Sequence, residues 1–205
     1  MLSWLILASG VAYLAVLGWG PAPVRYLLKP GTMLLIIYLA WQRLDPSSSY
    51  GWLILLGLLF SVAGDIFLML PRDRFLQGLI AFFVAHLLYI AAFTTEASLT
   101  LGWRDLVEVL GLGLIGYQVF VRLRPGVLAR SSRLLLPVAL YTAVISLMVW
   151  RALAFGLPLA AAGAGLFYLS DAILALNRFG RPFPGADHAV MTTYYLAQYC
   201  LALTL

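Results

Sequence analysis

Gly51-Trp-Leu-Ile-Leu-Leu-Gly-Leu-Leu-Phe-Ser-Val-Ala-Gly-Asp65-Ile-Phe-Leu-Met-Leu70 holds a single charge, Asp65, in an otherwise apolar run. A helix needs about 20 such residues to cross a hydrocarbon core of about 30 Å. Outward from this run the pattern recurs, giving eight candidate spans: Leu2–Trp19, Tyr26–Trp41, Gly51–Leu70, Phe75–Phe93, Trp103–Val121, Leu134–Ala154, Leu157–Leu176 and His188–Leu205. With 63% hydrophobic residues, 10% charged residues and a mean hydropathy of +0.98, the composition is that of a membrane protein. The chain therefore reads as all-α and polytopic, with eight transmembrane helices in one transmembrane domain over residues 1–205. Met1-Leu-Ser-Trp4 leads into the first run without a basic n-region, so that run is expected to be a retained helix and not a signal peptide.

Positive residues stay on the cytoplasmic side of a membrane, and they divide ten to three along this chain. Arg25, Lys29, Arg72, Arg74, Arg122, Arg124, Arg130, Arg133, Arg178 and Arg181 lie in or beside the odd-numbered connections; Arg43, Arg104 and Arg151 lie opposite. Both termini are thus expected outside, with the odd loops cytoplasmic. Compactness and short loops favour a bacterial inner membrane. The net charge of +5 fits topology and contact with anionic lipid, and no basic cluster with interleaved aromatics calls for nucleic acid.

Of eight carboxylates, only Asp65 and Asp171 sit inside long apolar stretches, and each precedes an arginine, Arg72 or Arg178, by seven residues. A carboxylate at membrane depth costs a few kcal/mol or more, so it faces a protein interior or a wet cavity and is a functional candidate. At 1.5 Å per residue, each aspartate lies roughly 10 Å along its helix from the flanking arginine. That depth, nearer the cytoplasmic face, is where the first carbons and the ether or ester linkages of a phospholipid lie. A shift of 106 residues lays Asp65 on Asp171, Leu68 on Leu174, Leu70 on Leu176, Arg72 on Arg178 and Tyr89 on Tyr195. Two parallel four-helix repeats would set the aspartates across from each other.

Other polar residues at depth are His86 and Tyr89 in the fourth span, Tyr141 and Ser146 in the sixth, and Tyr194, Tyr195 and Gln198 in the eighth. Each can line a polar cavity or simply join helices by hydrogen bonding. His86 is the one histidine inside a span, since His188 only begins the last one. Lys29, before Pro30-Gly31, reads as opening the second helix at a Pro-Gly break. Lys29, Arg72 and Arg178 can contact phosphate or merely anchor helix ends. Gly64 and Ser170, each preceding an aspartate, are helix-packing residues, with Ser170 also able to hydrogen-bond a carboxylate.

Residue supply removes several chemistries. Cys200 is alone, which leaves no disulfide framework or thiolate metal site. No HExxH, Gly-rich phosphate loop or G-x-S-x-G elbow is present, and nothing calls for a metal or organic cofactor. Acid–base work by a carboxyl pair is what remains.

Several blocks, taken together, have a familiar order. They are Ser61-Val-Ala-Gly64-Asp65-Ile-Phe67-Leu68-Met69, Phe75-Leu-Gln-Gly78-Leu-Ile-Ala-Phe82, His86-Leu-Leu-Tyr89, Pro137-Val-Ala-Leu-Tyr141, Gly165-Leu-Phe167-Tyr-Leu-Ser170-Asp171-Ala-Ile-Leu-Ala-Leu-Asn177-Arg178-Phe179 and Thr193-Tyr194-Tyr195-Leu-Ala-Gln198. With Lys29-Pro30 before them, they resemble the YhhN-like lysoplasmalogenases over nearly the whole chain. The resemblance implies eight transmembrane helices and hydrolysis of the vinyl ether of lysoplasmalogens, giving a fatty aldehyde and glycerophosphoethanolamine or glycerophosphocholine. It implies catalytic roles for Asp65 and Asp171 and a lysophospholipid substrate taken from the membrane.

The residues suit that chemistry. Vinyl ethers hydrolyse through protonation of the β-carbon, and a general acid with a nearby anion suffices, as in the carboxyl pairs of glycosidases. Two close carboxyls resist ionising together, so one serves as acid and the other as anion. His86, Tyr89, Tyr141, Ser170, Tyr195 and Gln198 are then expected to support the pair or position water, with Asp171 as donor if Ser170 holds it. Lys29, Arg72 and Arg178 would meet the phosphate, and the hydrocarbon tail would occupy a groove among the helices. Three other readings stay open: an intramembrane aspartyl protease, whose GxGD pattern wants glycine where Val62 stands; a proton-coupled transporter; and a lipid-binding or scaffold protein indifferent to both aspartates.

Overall fold

The computed structural model describes residues 1–71, 74–96 and 102–205, and all regular structure among them is helical. In chain order the helices are α1 (Leu2–Val16), α2 (Ala22–Arg43), α3 (Ser49–Met69), α4 (Phe75–Glu96), α5 (Trp103–Arg130), α6 (Leu135–Phe155), α7 (Pro158–Phe179) and α8 (Ala186–Ala202). A 3-10 turn, Ser132–Leu134, leads into α6. Local signals set several ends. Ser48 caps α3 by accepting from the Gly51 amide at 3.1 Å, and Gly156, at φ 79°, closes α6 in the left-handed conformation.

Among the described residues, five helices are long and apolar enough to cross a membrane: α3, α4, α5, α6 with its 3-10 turn, and α7. α1 is a shorter apolar helix. The outer surface matches: Leu110, Leu114 and Ile115 of α5 and Leu27 and Leu34 of α2 are exposed. An apolar exterior of this kind requires lipid around it, and the chain is an integral membrane protein.

α2 and α8 fall short of that apolar standard for a reason that bears on the site. Their polar residues, Lys29 and Thr32 in α2 and Tyr194, Tyr195 and Gln198 in α8, are buried against other helices. Mean hydropathy averages the whole circumference of a helix, so polar groups turned inward lower it although no lipid meets them. α8 packs on α1, α2, α3 and α7, which places it inside the bundle. α5 lies at the edge, against α6, α7 and the 3-10 turn. The aromatic core between them includes the fully buried Tyr89, Phe93 and Phe167.

Lys29 does not open the second helix. α2 starts at Ala22 and continues through Pro30 to Arg43. A proline removes one backbone donor, and a membrane helix tolerates this when neighbouring helices satisfy the freed carbonyl. The additional turn places Arg25 four residues before Lys29, hence on the same face. α5 likewise runs past Val121 to Arg130 with Pro125 inside it.

Candidate active site

Asp65 sits near the C-terminal end of α3 and is 2% exposed. A buried carboxylate is tolerable only when paired and hydrogen-bonded, and two helices supply what it needs. The Lys29 Nζ of α2 lies 2.8 Å from Oδ1, and the Tyr194 hydroxyl of α8 donates to Oδ2 at 2.7 Å. The neighbouring Tyr195 hydroxyl donates to the backbone carbonyl of Lys29 at 3.3 Å. Adjacent residues of α8 thus fix both halves of the ion pair.

Asp171, on α7, has a different setting. The Tyr141 hydroxyl of α6 donates to Oδ2, and Nε2 of the fully buried His86 of α4 is 3.6 Å from the same oxygen. The imidazole lies edge-on to the Tyr141 ring, with centroids 5.2 Å apart, and 4.7 Å from the Phe167 ring. No lysine or arginine makes an ion pair with Asp171 among the described residues. The two carboxyls therefore differ: one is neutralised by a cation, the other is held by neutral or titratable partners.

Both face one cavity of about 320 Å³, lined also by Tyr13, Arg25, Lys29, Ser170, Asp187 and Tyr194. On its far side Asp171 borders a second, apolar pocket of about 50 Å³, formed by α3, α4, α5, α6 and α7 and shared with Tyr141. Leu68, Phe82 and Leu174 contribute to both walls. The Phe82 ring can stand in that partition because residue 64 lacks a side chain. A Cβ there would fall 2.6, 2.7 and 2.9 Å from three Phe82 ring atoms. Gly64→Val is expected to displace the ring and destabilise the protein by about 1–3 kcal/mol, read as a lower unfolding temperature in detergent.

The structure sorts the residues singled out from sequence. Lys29, Asp65, Ser170 and Asp171 line the cavity, with His86 and Tyr141 touching Asp171 from behind. Ser170 does not hold the carboxyl beside it. Its hydroxyl donates to the Val190 carbonyl at 3.0 Å, because consecutive helical residues point about 100° apart and Ser170 faces α8. Tyr89 donates to Gln198 Oε1 at 2.9 Å; this pair is buried between α4 and α8, away from the cavity wall. Tyr195 acts on the Lys29 backbone and not on a carboxyl. The Arg178 guanidinium lies over the Phe75 ring at 4.9 Å and does not line the cavity. Arg72 lies outside the described residues. Arg25 and Tyr13 enter the site unforeseen, although the spacing of Arg25 and Lys29 carried a usable signal once α2 was known to begin earlier.

The sequence pattern of the YhhN family matches residues 24–205, which takes in every residue of the cavity except Tyr13 and Leu17. This chain belongs to the YhhN family. Among curated YhhN-family relatives, the rat protein named lysoplasmalogenase TMEM86B is 35% identical over 184 residues, covering 90% of this chain and 74% of the relative. The human lysoplasmalogenase TMEM86B is 38% identical over 161 residues, covering 78% and 66%. The uncharacterized membrane protein YhhN of Escherichia coli is 31% identical over 189 residues, covering 89% and 86%. No solved structure matches the chain.

Proposed function

We propose that this YhhN-family protein is a lysoplasmalogenase-type hydrolase, cleaving the sn-1 vinyl ether of lysoplasmenylethanolamine or lysoplasmenylcholine to a fatty aldehyde and the glycerophospho-alcohol. One observation carries the reading: two carboxyls inside the helix bundle of a membrane protein, the buried Asp65 and the partly buried Asp171, line one cavity, and of the two only Asp65 has a lysine partner, Lys29. The names of the rat and human relatives support it. In this reading all eight helices span the membrane as one domain, both termini lie outside, and the cavity opens nearer the cytoplasmic face of a bacterial inner membrane. The ten-to-three division of Lys and Arg supports that orientation.

The two settings divide the labour. Asp65, paired with Lys29 and accepting from Tyr194, is the carboxylate. Asp171 is the acid: Tyr141 occupies Oδ2, leaving Oδ1 to carry the proton. That proton passes to the β-carbon of the vinyl ether, and the double-bond electrons form the new C–H bond. The cation left on the carbon bearing oxygen is stabilised by the Asp65 carboxylate, as in carboxyl-pair glycosidases. Water adds to that carbon and gives a proton back to Asp171. The resulting hemiacetal transfers its hydroxyl proton to the departing glycerol oxygen as the C–O bond breaks, releasing aldehyde and alcohol. The net reaction consumes one water.

Tyr141→Phe keeps the ring and removes the donor to Asp171. Hydrogen bonds to charged groups contribute about 1.5–3 kcal/mol, so kcat is expected to fall roughly ten- to hundredfold with little change in KM, measured by steady-state aldehyde release. The reading itself is tested by aldehyde release from lysoplasmenylethanolamine by the purified protein, with and without a chelator. Aldehyde formed at a rate the chelator does not change supports a carboxyl-pair hydrolase. Well-folded protein that releases none would return the choice to transport or lipid binding.

A further inference from the structure

Asp171 stands where two cavities of opposite chemistry meet. On one side Arg25, Lys29, Asp65 and Asp187 line the larger space; on the other, Asp171 is the sole carboxyl residue in a wall of mostly aliphatic and aromatic side chains. A single-chain amphiphile has the same division, with its reactive linkage at the boundary. The apolar pocket, at about 50 Å³, has room for only the first carbons of a chain. A long chain must leave it. Thr142 borders this pocket and also a groove of about 430 Å³ between α5 and α6, which is open along the edge helix α5.

We propose that the substrate's hydrocarbon chain runs from Asp171 through the apolar pocket, past Thr142, and into the α5–α6 groove, so that residues lining this groove set which chain lengths are accepted. The proposal rests on the lipid-hydrolase reading and adds the direction in which the lipid lies. Its occupant follows from adjacency: the groove and the pocket that Asp171 lines share a wall at Thr142. The opposite orientation would place the chain among Arg25, Lys29 and Asp187 and the phosphate among Leu123, Val138 and Ile145, desolvating charge on both ends.

Gly113 is the position to probe, because it lines the groove and a Cβ there meets nothing within 4 Å. A side chain can therefore start at this position without a clash at its Cβ, so Gly113→Phe adds bulk at the groove wall, and Gly113→Ala is the control. With octenyl and octadecenyl vinyl-ether lysolipids, Gly113→Phe is expected to lower kcat/KM for the long chain by roughly tenfold or more relative to the short chain, and Gly113→Ala to shift that ratio far less. Equal loss for both chains, or no change in a folded protein, overturns the proposal. A lysolipid carrying a photoactivatable group at its chain end gives a readout independent of turnover, with cross-links expected on α5 and α6. Cross-links there without aldehyde from the parent would keep the chain path and sink the hydrolase. Aldehyde with cross-links only elsewhere would do the reverse.

Discussion

Asp171→Asn is expected to reduce aldehyde release by roughly a thousandfold, within the range that loss of a general acid–base group produces, while leaving the protein folded. The amide keeps the shape of the carboxyl and can still accept the Tyr141 hydrogen bond, so the packing of Tyr141, His86 and Phe167 around it persists. What it lacks is an acidic proton on Oδ1, and slow protonation of carbon is the step that needs one. Because substrate contacts are otherwise intact, the loss should fall on kcat more than on KM. Steady-state kinetics beside a thermal unfolding curve for each variant separates this outcome from simple misfolding.

Asp65 should behave differently, since it serves both charge and structure. Asp65→Ala leaves Lys29, a residue 7% exposed, without its carboxylate. Breaking one side of a buried ion pair costs about 3–5 kcal/mol, whereas replacing both partners with apolar groups is often neutral. Asp65→Ala and Lys29→Met are each expected to lower the unfolding temperature markedly, and the Lys29→Met/Asp65→Leu double variant to recover most of it. Activity should be lost in Asp65→Ala and in the double variant alike, because the cation formed during hydrolysis has no counter-charge in either. A double variant that regained activity along with stability would make Asp65 a purely structural residue.

How far these roles could be read beforehand depended on the range of the interaction. Depth along an apolar run depends only on sequence distance, so Asp65 and Asp171 could be found without knowing a single contact. The repeat of 106 residues pointed to a shared site, and one cavity holds both. Direction around a helix was harder. Ser170 was read as a support for Asp171, yet it faces α8, which only the position of Val190 reveals. Lys29, expected to open the second helix at the Pro30-Gly31 break, instead lies within α2, which runs through Pro30 and begins early enough to put Arg25 on the cavity face. The polar faces of α2 and α8 were visible as residues, but that both converge on Asp65 through Lys29 and Tyr194 required the packing of three helices. Arg178, matched to Arg72 by the repeat, instead covers the Phe75 ring.

The central claim is that Asp65 and Asp171 together hydrolyse a vinyl ether by protonating carbon. The most direct measurement is aldehyde release from lysoplasmenylethanolamine in deuterated water by the detergent-purified parent, run beside Asp65→Asn and Asp171→Asn proteins matched for folding. The account predicts that the parent forms aldehyde carrying one deuterium on the carbon next to the carbonyl and that both variants form it roughly a thousandfold more slowly or not at all. Folded parent that yields no aldehyde, aldehyde without that deuterium, or variants as active as the parent would contradict it.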